Sequence, residues 1–133
     1  MTVRRNTRQR DAILDAIERA EGPLTTQGIL ERSRNVLPHL GLATVYRTVA
    51  MLKDDGRINE VRLPGEEPRF EPARRAHHHH FRCTECERVL ELDFCPVHLP
   101  AGTLLPGGLR VQDHHLTLYG LCNECDPGEA RAS

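Results

Sequence analysis

The order of apolar and polar positions divides this chain into a helical front and a strand-rich rear. From about Thr7 to Ala20, Ile13, Leu14 and Ile17 recur at helical spacing, and Gly22-Pro23 ends the segment. Thr25 or Thr26 is placed to cap a second helix, which runs through Ile29 and Leu30 to about Asn35. Pro38-His39-Leu40-Gly41 reads as a turn, and a third helix follows from about Ala43 to Asp54, closed by Gly56. In it Val45, Val49 and Leu52 form one apolar stripe, while Thr44, Tyr46, Arg47 and Thr48 fall on the opposite face. Two short helices joined by a turn, the second showing hydroxyl, phenol and guanidinium outward, is the helix-turn-helix pattern. Arg57 to Leu63 then alternates like a strand, Pro64 to Pro68 is a turn, and Arg69-Phe70-Glu71 is a return strand. Such a hairpin is the wing of a winged helix.

Pro72 to Ala76 has the look of a linker, and short strands are expected beyond it at Phe81–Cys83, Val89–Asp93 and Val111–Leu121. Between them Cys95-Pro96, Leu99-Pro100 and Leu105-Pro106-Gly107-Gly108 prevent a long helix. The expected fold class is therefore α+β. A winged helix-turn-helix domain occupies 1–72, a linker 73–76 and a small α/β domain 77–133.

Two small domains within 133 residues have thin cores, and domains of that size usually need a metal, a disulfide or a partner subunit. No stretch approaches the roughly 18 apolar residues that would cross a bilayer. The basic start, Met1-Thr2-Val3-Arg4-Arg5-Asn6, lacks the apolar core of a secretory signal, so a cytoplasmic protein with no membrane partner is expected. The net charge of −1 conceals an asymmetry, with fourteen basic against eleven acidic residues in 1–76 and four against eight in 77–133. Four of the first ten residues are Arg, which is compatible with phosphate contact and equally with a solvated basic tail.

The sharpest chemical signal is Cys83-Thr84-Glu85-Cys86 with Cys122-Asn123-Glu124-Cys125. Two such knuckles supply four thiolates in a tetrahedron, which closes a zinc site to water and makes it structural. A disulfide pair or unrelated buried cysteines are the competing readings, though paired Cys-x-x-Cys in a cytosolic protein favours metal. His77-His78-His79-His80 stands directly before the first knuckle. Placed inside the chain, it is unlike a purification tag, and a loosely metal-binding surface tract is the plainer alternative. In an extended segment alternate side chains face opposite ways, so His78 and His80 look one way, His77 and His79 the other. Glu71, Glu91, His98, His114 and His115 are further candidate ligands; imidazole with carboxylate suits zinc, iron(II) or manganese. Cys95 is the odd thiol, open to roles as apolar filler, further ligand or redox-sensitive group.

Three segments, in order, carry a resemblance to the ferric uptake regulator family of metal and peroxide sensors. They are Gly41-Leu42-Ala43-Thr44-Val45-Tyr46-Arg47, the His77–His80 run with Phe81-Arg82-Cys83-x-x-Cys86, and Leu118-Tyr119-Gly120-Leu121-Cys122-x-x-Cys125. The resemblance implies an N-terminal winged helix on DNA, a C-terminal dimerisation domain and a regulatory metal near the hinge. It implies that Thr44, Tyr46 and Arg47 face DNA, with Tyr46 on a thymine methyl, and that Arg5 enters the minor groove. Cys83, Cys86, Cys122 and Cys125 match the family's structural zinc ligands. The hinge site draws on Glu71, His78, His80 and Glu91, and a second site on His77, His79, His98 and His114.

Some positions depart from the family pattern. Pro23 stands where many relatives place a His ligand, and Glu60 is the possible substitute. His98 stands where many have Glu, and Pro100 and Pro106 interrupt the expected dimerisation helix.

The expected function is a non-enzymatic, metal-dependent transcriptional regulator, a repressor, binding double-stranded operator DNA as a homodimer. Its cofactors are structural Zn2+ and a regulatory divalent metal, Zn2+ before Fe2+ or Mn2+, with no small organic substrate. The rival is a zinc-stabilised winged-helix module for protein interaction. Zinc-enzyme signatures such as His-Glu-x-x-His and the deaminase His-x-Glu pattern are absent.

Overall fold

The computed structural model describes residues 2–73 and 78–128, with side chains from Thr7 onward. It divides into two compact units, Met1–Arg75 and Ala76–Ser133. The first contains α1 (Thr2–Arg19), α2 (Thr26–Ser33), α3 (Leu42–Asp54), β1 (Ile58–Val61) and β2 (Arg69–Pro72). α1 begins at Thr2 rather than Thr7, because its Arg-rich lead-in has no apolar period to announce it yet contains no helix breaker. Thr25 caps α2, its Oγ1 accepting from the Gly28 amide at 3.1 Å.

Ile13, Leu14 and Ile17 of α1 meet Ile29 and Leu30 of α2 and Val45, Val49 and Leu52 of α3 in one apolar core. Ile58, Phe70 and Leu40 complete it from the strands and the turn. Thr48 belongs to this face, at 8 % exposed, and not to the outer one with Tyr46 and Arg47. Helical geometry accounts for the correction, since position 48 is three residues after Val45 and four before Leu52, the spacings that share a helix face. β1 and β2 pair antiparallel, Ile58 opposite Pro72 and Val61 opposite Arg69. Leu24 adds a bridge to the far edge of β2, exchanging both backbone hydrogen bonds with Phe70 at 2.8 and 2.9 Å. The wing is thus pinned to the segment between α1 and α2.

The second unit contains β3 (His79–Cys83), β4 (Val89–Leu92), β5 (Leu104–Leu105), β6 (Leu109–Arg110) and β7 (Thr117–Gly120). β3 is central, antiparallel to β4 and parallel to β7. The strand expected over Val111–Leu121 is realised only as Thr117–Gly120; ahead of it Val111 exchanges backbone hydrogen bonds with Gly102 and Thr103, and the Leu116 carbonyl accepts from the His80 amide. β5 and β6 form a small hairpin around Pro106-Gly107-Gly108, where Gly107 and Gly108 hold φ of 91° and 78°, angles that side chains with a Cβ resist. Among the described residues of this unit the buried apolar side chains are Cys83, Val89 and Cys122. Hydrocarbon packing is therefore sparse here, in contrast with the first unit.

Candidate metal centres and recognition helix

Cys83 ends β3, and the chain turns at once. The Cys83 amide donates to the Arg88 carbonyl at 2.9 Å and the Glu87 amide to the Cys83 carbonyl at 3.1 Å. Closing that turn puts Glu87 at φ 64°, an uncommon angle for a residue with a side chain. The second knuckle repeats the device, the Cys125 and Asp126 amides both donating to the Cys122 carbonyl. Parallel pairing sets Cys83 beside Gly120, and the Thr84 amide donates to the Gly120 carbonyl at 2.8 Å. Space beside Gly120 is tight, since a Cβ would come within 3.1 Å of the Phe81 ring. The result brings the four Sγ atoms of Cys83, Cys86, Cys122 and Cys125 within 4.8 Å of one another.

The electrostatics of this tetrad suit a cation. Backbone donors, those of Cys86 and Cys122 foremost, pull the Cys83 thiol down to about 6. Burial pushes Cys122 up, but the amides of Cys125 and Glu124 outweigh it and the net shift is downward. Cys125, hydrogen-bonded to Cys122 and removed from water, is pushed up to about 12. Like charges at this separation cannot all form unaided, and a divalent cation supplies the missing compensation. Four sulfurs with no room for water are the donor set that zinc takes in structural sites.

Upstream on β3 the imidazoles alternate. His78 and His80 share one face, their rings edge-on with centroids 5.2 Å apart. Glu91 of β4 is the direct cross-strand partner of His80, so its side chain rises from the same face, although it is not among the ligand atoms that converge most closely. His79 faces the other way and is buried, stacked on His114 with centroids 4.9 Å apart. The donor that joins this pair is Cys95, its Sγ 3.3 Å from His114 Nε2. His98, expected there, is exposed and not part of the group; the Cys95-Pro96 bend after β4 delivers the thiol instead. His77 lies outside the described residues. Sequence reasoning left Cys95 open, since strand alternation carries no information about which loop residue returns to a strand.

Glu71 and Glu60 belong to the first unit. Glu71 is buried on β2, opposite Asn59. Glu60 is taken up by two cations, Lys53 of α3 at 2.8 Å and Arg62, and among the described residues it joins no cluster of potential ligands. The hydrogen bond from Lys53 above all holds its carboxyl below the usual range; burial, next in weight, opposes it, and Arg62 adds to the lowering. A carboxylate so committed is poorly placed to serve as a metal ligand.

On α3, Tyr46 and Arg47 are exposed and Thr44 half-buried, with the Arg47 guanidinium donating to Thr44 Oγ1 at 3.1 Å. Gly41 caps this helix without a side-chain hydrogen bond, unlike Thr25 at α2. Its first amides are thus open to an outside acceptor such as a phosphate. The side chain of Arg5 lies outside the described ones.

A helix-turn-helix with a pinned wing, followed in the chain by clustered thiols and imidazoles, defines a class: regulators that join a DNA-reading unit to a metal centre. The model of the Ferric uptake regulator family matches residues 2–119. The ferric uptake regulation protein of Staphylococcus epidermidis is 32 % identical over 120 residues, covering 90 % of this chain and 84 % of that protein. The peroxide operon regulator of Bacillus subtilis is 26 % identical over 129 residues, covering 94 % of this chain and 86 % of its own. Among solved structures, a zinc-bound manganese uptake regulator superposes with a TM-score of 0.69 at 26 % identity, covering 86 % of this chain and 87 % of its own. The chain belongs to the ferric uptake regulator family of metal-responsive transcriptional regulators. Among the described residues no helix is long and apolar enough to cross a membrane.

Proposed function

We propose that this chain is a zinc-responsive transcriptional repressor that binds operator DNA as a homodimer. The observation that carries the reading is the pairing on β3 of two kinds of donor. Its end is locked into a four-thiol knot, while His80 within it and His78 directly before it offer reversible imidazole ligands on one face. The knot holds structural zinc through Cys83, Cys86, Cys122 and Cys125. His78 and His80, with Glu91 beside them, are this unit's donors to the regulatory ion, and the family resemblance adds Glu71. Nitrogen-rich donors favour zinc over manganese and, less strongly, over iron(II).

Thr44, Tyr46 and Arg47 of α3 read the major groove, and the twofold symmetry of a homodimer matches a near-palindromic site. Metal acts as a switch only if it binds the DNA-competent state more tightly than the other. Moving the population from 1:99 to 99:1 takes about 5.5 kcal/mol of such preference.

The test uses protein that retains its tetrathiol zinc, titrated with zinc, iron(II) or manganese in the presence of its own promoter DNA. Zinc is expected to raise DNA affinity at the lowest free concentration. The His78→Ala/His80→Ala double variant is expected to lose the response while keeping its fold. DNA affinity indifferent to all three metals overturns the proposal.

A further inference from the structure

The turn between α2 and α3 is built around one residue. The Leu40 side chain is buried, its amide donates to the Leu37 carbonyl at 3.0 Å, and its carbonyl accepts from Arg34 Nε at 2.9 Å. Arg34 is the C-cap of α2, and Leu40 directly precedes Gly41, the N-cap of α3. The guanidinium therefore links the end of one helix to the entrance of the next. A cation at a helix C-terminus is ordinarily explained by the carbonyls exposed there. Arg34 instead donates across the turn, to a carbonyl six residues further on.

That bond uses one of the five guanidinium donors. The side chain is otherwise exposed, and among the described residues its Nη groups meet no acceptor and no carboxylate. The charge around it has one sign. Residues 32–53 contain Arg32, Arg34, Arg47 and Lys53 and no acidic residue. The wing that follows differs: residues 57–71 hold three arginines against four glutamates, Arg69 is paired with Glu66, and Glu67 is exposed at the turn. A polyanion is drawn to the first surface and not to the second.

We propose that Arg34 is a phosphate-contact residue: anchored through Nε, it presents its Nη fork to a DNA backbone phosphate beside α3 and so fixes how that helix is seated in the groove. A planar guanidinium meets two phosphate oxygens with parallel N–H bonds, which a point charge does not. Contacts of this kind set register and orientation and carry no sequence information themselves. The anchor matters because a side chain already held at one atom loses less freedom when it meets its ligand. The inference rests on the reading of α3 as the DNA-binding helix and deepens it; no metal centre enters the argument.

Glutamine and lysine separate the anchor from the charge. Glutamine places a neutral donor, Nε2, as many bonds from Cα as the arginine Nε, whereas lysine keeps the charge and has no donor there. Binding of promoter DNA and of an unrelated duplex is measured by fluorescence anisotropy over a salt series, with full-length, zinc-saturated protein. Each phosphate contact removed lowers the slope of log affinity against log salt by about 0.9. Arg34→Gln should flatten the slope by that amount per subunit. It should weaken both duplexes by the same factor, roughly tenfold per subunit, with thermal unfolding unchanged. Arg34→Lys should keep the slope. A slope in Arg34→Gln equal to that of unaltered protein, or a loss confined to promoter DNA, would overturn the proposal. Should glutamine destabilise the fold, lysine decides alone, and a flattened slope in that folded, charge-retaining variant overturns it. Absence of DNA affinity in unaltered protein would sink the reading of α3 itself, so the two failures are distinguishable.

Discussion

Removing zinc from the tetrathiol should unfold the second unit and leave the first standing. Among the described residues of the second unit, Val89 is the one buried apolar side chain besides the cysteines Cys83 and Cys122. Full burial of a valine contributes about 1.5–3 kcal/mol. A structural zinc of this type contributes on the order of 10–16 kcal/mol that appears as folding energy. The metal therefore exceeds that side chain several-fold, and the unit's stability follows its occupancy. The first unit has its own core of eleven buried residues and no thiol, and is expected to be indifferent to chelation.

The two responses separate cleanly because every helix of the described structure lies in the first unit. Far-ultraviolet helical dichroism thus reports that unit. Amide exchange in β3 and β7, and the NMR signals of Tyr119, report the other. Stoichiometric chelation, or Cys122→Ser, should abolish exchange protection in β3 and β7 while helical dichroism persists. Protection of those strands surviving with zinc shown to be gone would refute the reasoning.

Three more outcomes are expected. Arg47→Ala and Tyr46→Ala should each weaken operator binding by about 1–3 kcal/mol, measured by titration at fixed salt, with Arg47→Ala also shifting preference among operator variants. The Glu60 carboxyl is held below its ordinary value by Lys53 and Arg62, so the unfolded chain takes up its proton at higher pH than the folded one. Its stabilising effect is complete above about pH 4.5 and fades as pH falls through the lower folded value; Glu60→Gln should flatten that part of a pH–stability curve. Gly120→Ala drives a Cβ to 3.1 Å from the Phe81 ring, and should lower the second unit's stability by about 1–3 kcal/mol in thermal unfolding of the zinc form.

The helical half was readable because its signals are local. Ile13, Leu14, Ile17, Val45, Val49 and Leu52 carry the period themselves, and Thr25 announces its cap by type and position. The tetrad was readable for a related reason, since each knuckle spaces its own pair. What stayed hidden depends on contacts between distant segments. Alternation separated His79 from His80, but only the fold returns Cys95 rather than His98 to the buried imidazole. The strand start at Thr117 was equally invisible, because the extended-looking run over 111–121 takes its backbone partners from different segments, Val111 from Gly102 and Thr103 and Thr117–Gly120 from β3. Thr48 was misassigned for a different reason. A hydroxyl was weighed by its chemistry when its angular position on α3 already put it inward.

The parallel alignment of β3 with β7 bears on how the molecule is made. Its partners, His80 with Thr117 through Cys83 with Gly120, are separated by the whole of β4 and the small hairpin. Closing so long a loop is an entropic expense that a few ladder hydrogen bonds recover late, so this half matures after the helical half. Until an ion arrives, a newly synthesised chain carries a finished helical head and an open, thiol-bearing tail exposed to proteases. With structural zinc in the tetrathiol as proposed, the stock of intact copies is expected to follow the supply of metal, a layer of control set by chain connectivity before any promoter is reached.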